Sequence, residues 1–439
     1  MPLRERKFMN SCLDRIRPRA WAALLVLFLA ATFCAAQSTV SVIEVPNPPN
    51  SAAQQAKHYV VLVSLDGFRY DYARKYGAKN LLAMAHRGAS APDGMIPSYP
   101  STTFPNHYTI VTGLYPEHHG IVANSFYDPE RKESFAYTDP KSETDGNWYG
   151  GTPLWVLAEK QGMRAASFFW PGSEAEIQGK RLSYYLAYDD KFPEEKRVEQ
   201  IIAWLRLPPE QRPHFITLYY ANTDHAGHTY GPEAPETGEA VRHVDEMIGK
   251  LADGIAATGL PVDLIVVADH GMETVQGTWI ALDKWADLSQ IKTSGPLLYA
   301  KSQADAEKVY KSLLGASGAF KVYRRAKVPA YLHYNSNPHE GDPVVVPTGP
   351  YAIVAHDPSS NGNIRAPNRG VHGYDPRTMP SMKAIFYAAG PDIRAGVTVA
   401  PFENVNVYPL IANILGLRIG AIDGNLRVLQ GILKKNSQN

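Results

Sequence analysis

Cysteine is almost missing from this chain. Its 439 residues include two, Cys12 and Cys34, both within the first 36 positions. Beyond them there is no thiol, so a disulfide framework and a thiolate metal site are both excluded. Any metal there has to be held by histidine and carboxylate. Charge of one sign is missing too, with 44 basic residues against 43 acidic ones and a net charge of +1. That balance excludes a broad basic face for nucleic acid and a polybasic membrane anchor, so phosphate recognition has to be local. Internal repeats and low-complexity blocks are absent as well. The apolar stretch "WAALLVLFLAATFCA" is short for a stable membrane span. Arg4, Arg6, Lys7, Arg15, Arg17 and Arg19 flank it on one side, and Cys34-Ala35-Ala36 resembles a small-residue cleavage site. Residues 1–36 therefore read as a signal peptide of an exported protein, periplasmic or secreted in a bacterium. No stable membrane span is expected after cleavage.

What is present is a large apolar fraction, 44% of residues, enough for a sizeable core. Residues 37–57 look like a polar, proline-bearing linker. "HYVVLVSLDGF" then opens a series of near-continuous apolar runs, followed by "AASFFW", "HFITLYYAN", "VDLIVVADHG" and "KAIFYAAG". Such runs mark strands buried on both faces. Helical patterns lie between them. "TPLWVLAEKQG" offers Thr152 as N-cap, Pro153 at the first position and Gly162 as a stop, and "TGEAVRHVDEMIGKLADGIAATG" has helical apolar spacing. Strand and helix in alternation predict an α/β fold with a mostly parallel central sheet covered on both sides. Ligands in such sheets bind at the carboxyl ends of strands. Residues from about 290 to 380 are rich in Pro, Gly, Asn and Tyr and predict long loops or a cap-like subregion.

The stretch "PSYPSTTFPNHYTIVTGLYPEHHGI", Pro97–Ile121, places Thr102 and Thr103 against Phe104-Pro105-Asn106-His107, with no acid between Pro97 and Tyr115. A threonine here can cap a helix. It can equally present a hydroxyl to the free N–H groups and positive dipole of a helix start, which suits an alkoxide and a phosphate. Asp66 follows the first buried run, and Asp269-His270-Gly271 ends another. Asp224 and His228 stand at i and i+4, on one face of a helical turn, whereas His225 would point elsewhere. His372 lies in "RGVHGYD". Taken singly, each of these has an ordinary structural reading as a turn or surface residue. Together they are six oxygen and imidazole ligands, enough for two divalent ions of the zinc class with open positions. Two ions about 4 Å apart can clamp the attacking and leaving oxygens of an in-line displacement.

"VVLVSLDGFR", "TTFPNHYTIVTGLYPEHHGIVANSFYD", "DHAGHTYGP", "VVADHGM" and "VHGYD" occur in that order. In this the chain resembles the nucleotide pyrophosphatase/phosphodiesterase family of the alkaline phosphatase superfamily, over His58 to the C-terminus. The resemblance implies a three-layer α/β/α sandwich, two Zn2+ ions and a catalytic domain over residues 58–439. It implies Thr103, the residue directly before Phe-Pro-Asn-His, as nucleophile. One zinc would be held by Asp66, Asp269 and His270, completed by Thr103, and the other by Asp224, His228 and His372. Asn124 matches an asparagine that donates to a phosphoryl oxygen. Phe104 and Tyr219 match aromatic positions near the leaving nucleoside. Many animal members have Lys where this chain has Thr102, and they carry cysteine-rich modules, so the chain resembles a bacterial stand-alone catalytic domain. The expected activity is hydrolysis of phosphodiester or pyrophosphate bonds in nucleotides through a phosphothreonine. Its rivals are a phosphomonoesterase, a phosphonate hydrolase or a choline-phosphodiester lipase of the same superfamily, and a non-catalytic, metal-stabilised binding protein.

Overall fold

The computed structural model describes residues 40–358 and 368–435. The signal segment expected over 1–36 lies outside the described residues. Nine strands form the main sheet: β1 (Ile43–Glu44), β2 (Tyr59–Leu65), β3 (Ala89–Ser90), β4 (Ala165–Phe168), β5 (Tyr184–Leu186), β6 (Phe215–Tyr220), β7 (Val262–Val267), β8 (Phe386–Ala389) and β9 (Val397–Thr398). Their order is β1-β5-β4-β6-β2-β7-β8-β3-β9. The pairings from β5 through β7 are all parallel, as is β3 with β9, and the sheet turns antiparallel at β1 and on both sides of β8. Every residue of β2, β6 and β7 is buried, as their apolar runs require of strands covered on both faces. β1 comes from the stretch read as a linker; it pairs with β5, and nearby Asn50 donates to the carbonyls of Pro209 and Arg212.

Helices cover both faces of the sheet, giving an α/β/α sandwich. One layer contains α1 (Lys79–Arg87), α4 (Glu194–Leu205) and α6 (Pro235–Thr258). The other contains α2 (Thr103–Thr112), α3 (Leu154–Lys160) and α8 (Val407–Leu415). A further short helix, α5 (Asn222–Tyr230), leads from β6 towards α6. At α3 the N-cap is Pro153, not Thr152. The Thr152 hydroxyl is engaged with Gln178 instead, because a proline can occupy the last extended position before a helix as well as the first helical one. Part of the loop-rich stretch around 290–380 builds a second, smaller core. There Leu282, Leu298, Val309, Leu313, Phe320 and Val345 pack between α7 (Gln303–Leu313) and two antiparallel strand pairs.

Candidate active site

Three neighbouring strands end in register, and this gathers the site. β2 pairs with β6 from Val60↔Phe215 to Leu65↔Tyr220, and with β7 from Val262↔Tyr59 to Val267↔Ser64. Whatever follows each strand is therefore delivered to the same sheet edge. Asp66 follows β2, Asp269 and His270 follow β7, and α5, with Asp224 and His228, begins one residue beyond β6. Gly67 makes this convergence possible: its φ is +66°, and a Cβ there would lie 2.9 Å from Asp224 Cα. His372 comes directly after Gly370–Val371, which pairs with Glu273–Thr274. Thr103 enters at the first turn of α2. Thr102 occupies the N-cap position, but its hydroxyl makes no capping bond. Thr103 Oγ1 lies 3.4 Å from His270 Nε2.

The acidic and imidazole groups form two clusters, Asp66–Asp269–His270 and Asp224–His228–His372. Within each, the candidate ligand atoms lie within 4.8 Å of one another. The histidines are oriented alike. His228 Nδ1 donates to Gly370 O (2.7 Å), His270 Nδ1 to Gly271 O (2.9 Å) and His372 Nδ1 to Ser101 O (3.0 Å). With Nδ1–H committed to a carbonyl, each Nε2 is left as a lone pair facing the carboxylates. His372 Nε2 and His228 Nε2 are then only 3.2 Å apart, an arrangement that needs a positive charge between them. Asp66 Oδ1, Asp224 Oδ1 and Asp269 Oδ2 are buried without a hydrogen-bond partner. Buried, unpaired carboxylate oxygens are costly unless a cation satisfies them. The donor set is oxygen and imidazole, so the residues fit divalent cations of the zinc class.

Crowded charge shifts the titrations. Burial, with the charges of Asp269 and Asp224, raises Asp66 far above the usual carboxylate range. Burial works in the same direction on Asp269, but His270 and His107 hold its carboxyl well below that range. Burial, with His270 and His228 alongside, keeps His372 neutral. A bound cation would remove the conflict among the three aspartates by supplying the missing positive charge.

Two supporting roles were not read from the sequence, that of the Tyr219 hydroxyl and that of His107. The Tyr219 hydroxyl donates to Asp66 Oδ2 at 2.6 Å. Buried His107 donates from Nδ1 to Thr103 O at 2.8 Å, and its Nε2 meets Ser64 Oγ at 2.8 Å. Its i+4 spacing from Thr103 is a signal that could have found it. No comparable signal marks the Tyr219 hydroxyl. Asn124 Oδ1 accepts from Phe104 N–H at 2.9 Å, which leaves its NH2 as the group able to donate onward. His225 has 57% of its side chain exposed, at the rim of the site.

Beside Asp66, Thr103 and Asp224 opens a cavity of about 540 Å³, lined by Phe104, Tyr137, Phe169, Trp170, Tyr188 and Tyr219. The two aromatic residues expected near a leaving group thus share one cavity. Phe104 packs on Tyr137 (ring centroids 5.5 Å apart) and Tyr219 lies edge-on to Tyr188 at 6.2 Å.

The profile of the family described as type I phosphodiesterase / nucleotide pyrophosphatase matches residues 60–375. The chain belongs to this family. Family membership makes it a hydrolase of phosphoric diesters. It is 35% identical to an uncharacterized pyrophosphatase/phosphodiesterase of Schizosaccharomyces pombe, over 84% of this chain and 79% of that protein. It is 36% identical to human ectonucleotide pyrophosphatase/phosphodiesterase family member 7, over 88% of this chain and 86% of that one. With human family member 1 the identity is 35% and the coverage 88% of this chain, but 43% of the relative. Murine ectonucleotide pyrophosphatase/phosphodiesterase 5, solved as an inactive variant in complex with AMP, superposes with a TM-score of 0.80 at 29% identity. That match covers 86% of this chain and 100% of the other.

Among the described residues no helix is long and apolar enough to cross a membrane.

Proposed function

We propose that this chain is an exported nucleotide pyrophosphatase/phosphodiesterase in which Thr103 is the nucleophile and residues 58–439 are the catalytic domain. The observation that carries the reading is the position of Thr103 Oγ1, beside His270 Nε2 and at the start of α2, where two Asp/His clusters meet. Asp66, Asp269 and His270 would hold one Zn2+, with Thr103 beside it, and Asp224, His228 and His372 the other. When bound, the two ions supply Lewis acidity that stabilises charge on the attacking and leaving oxygens. Thr103 Oγ1 bonds to phosphorus as the bond to the leaving group breaks, and water then opens the phosphothreonine to release the monoester and restore the hydroxyl. Asn124 donates to a phosphoryl oxygen from its NH2. The N-terminal turn of α2 offers positive potential to the same phosphate. Phe104 and Tyr219 flank the flat base of the nucleotide, which stays on Thr103 until water releases the monoester, in the aromatic cavity. The AMP complex of the murine relative supports nucleotides as the substrate class.

The test pairs p-nitrophenyl thymidine monophosphate, a diester, with p-nitrophenyl phosphate, a monoester, on the purified protein with and without a chelator. The diester should be strongly preferred, and activity should vanish on chelation and return with zinc. Thr103→Ala should retain the metal and lose turnover by orders of magnitude, while Thr102→Ala changes it modestly. A reversal of those two variants would place the nucleophile at Thr102, and preferential monoester hydrolysis would replace the diesterase reading altogether.

A further inference from the structure

At the end of the sheet opposite the active site, the same strands assemble a third cluster. His58 directly precedes β2, Asp263 is the second residue of β7, and Asp392 lies in the turn after β8. β2, β7 and β8 are neighbours, and β8 runs antiparallel to β7, so the start of two strands and the end of the third meet here. β2 is seven residues long, which sets the cluster on the order of 20 Å from the catalytic end.

We propose that His58, Asp263 and Asp392 form a divalent-cation site separate from the catalytic one, which fastens the N-terminal edge of the central strands. Their candidate ligand atoms lie within 4.8 Å of one another. His58 Nδ1 is 2.6 Å from Asp392 Oδ2. Asp263 is fully buried in a strand that is otherwise apolar, and Asp392 is 3% exposed. Asp263 Oδ1 accepts the Asp392 N–H at 3.0 Å, but Asp263 Oδ2 is buried with no hydrogen-bond partner. An aspartate in a central strand with one oxygen unmatched is an expensive placement unless something positive completes it.

The backbone is shaped to bring the two carboxylates together. A Cβ at Gly390 would stand 2.3 Å from Asp263 Oδ1, so only glycine allows this approach. Two carboxylates and a neutral imidazole balance the charge of one divalent cation, and this donor set suits zinc or manganese. Burial and the charge of Asp392 push Asp263 up to about 8, with Lys434 pulling it partly back. A proton shared between Asp263 and Asp392 is the rival way to relieve that charge. The His58 side chain is 36% exposed, which gives an ion an entry path.

Metal analysis separates the two. The full-length protein is equilibrated with zinc, freed of excess by gel filtration and assayed for zinc per chain, beside Asp392→Asn and His58→Ala. Each variant should carry one equivalent less than wild type, with diester turnover within about twofold of it. His58 is partly exposed, so its variant keeps the test open if Asp392→Asn does not fold. An unchanged zinc count in His58→Ala overturns the proposal in favour of the shared proton. Loss of turnover in proportion to the missing zinc also overturns it, since the ion would then belong to the catalytic end.

Discussion

Each histidine of the active site commits one ring nitrogen to a backbone carbonyl, and that bond decides which nitrogen faces the carboxylates. The identities of His228, His270 and His372 as ligand candidates were readable from residue type and position. Their tautomers were not, because the carbonyls of Gly370, Gly271 and Ser101 are supplied by backbone geometry that no side-chain pattern encodes. Tyr219 carries the same lesson further. In sequence it is an aromatic residue near a strand end, but in the fold its hydroxyl holds Asp66 Oδ2. Tyr219→Phe keeps the ring and removes that bond. Outer-shell changes of this kind typically lower metal affinity about 10–100-fold. The variant should therefore lose zinc to a competing chelator at that much lower concentration, while its KM for a nucleotide diester stays close to wild type. A raised KM with metal affinity unchanged would instead make the hydroxyl a substrate contact.

Among the elements, the in-register endings of β2, β6 and β7 do most to place the chemistry. The apolar runs announced these strands, and the i, i+4 spacing of Asp224 and His228 announced their shared helical face on α5. Gly67 joins the two features. It turns the chain after Asp66 in a left-handed conformation that costs an alanine roughly 1–2 kcal/mol, and it passes within reach of the Asp224 backbone. Gly67→Ala adds the steric conflict to that strain and displaces the start of α5. Its diester kcat/KM should fall by at least tenfold, with a melting temperature lowered by only a few degrees. A variant with wild-type turnover would show that α5 tolerates the shift. The start of α2 was ambiguous in sequence, since adjacent threonines suit a cap and a nucleophile equally. Thr102 makes no capping bond although its backbone is extended, as at an N-cap, and that outcome is not encoded in the local pattern.

Across the whole molecule, the second core around Leu298 and Leu313 is linked to the main one through residues 331–340, which dock on the segment after α2. His339 Nδ1 donates to Gly120 O, and Asn337 Nδ2 to Glu117 O. Glu340 is fully buried in this junction. Burial and the nearby charge of Glu117 push its carboxyl up to about 8 from an ordinary 4.5, against the pull of Arg325. The folded state thus binds this proton more tightly than the unfolded one. Its contribution to stability is full below about pH 4.5 and is lost as pH rises through about 8. Glu340→Gln, which imitates the protonated group, should melt like wild type at pH 5 and several degrees higher at pH 8.5. Parallel melting curves at both pH values would show that the carboxyl titrates normally. By itself the sequence determined the buried strands, the helical spacing and the supply of Asp, His and Thr at strand and helix ends, because these depend on near neighbours along the chain. Residue type and spacing left residues 66, 103, 224, 270 and 372 as separate candidates, which the family resemblance implied to meet and the tertiary structure brings together; it alone decided that Asp263 and Asp392 press together at the opposite edge. Those meetings depend on strand register and loop closure between distant segments, which local periodicity does not carry.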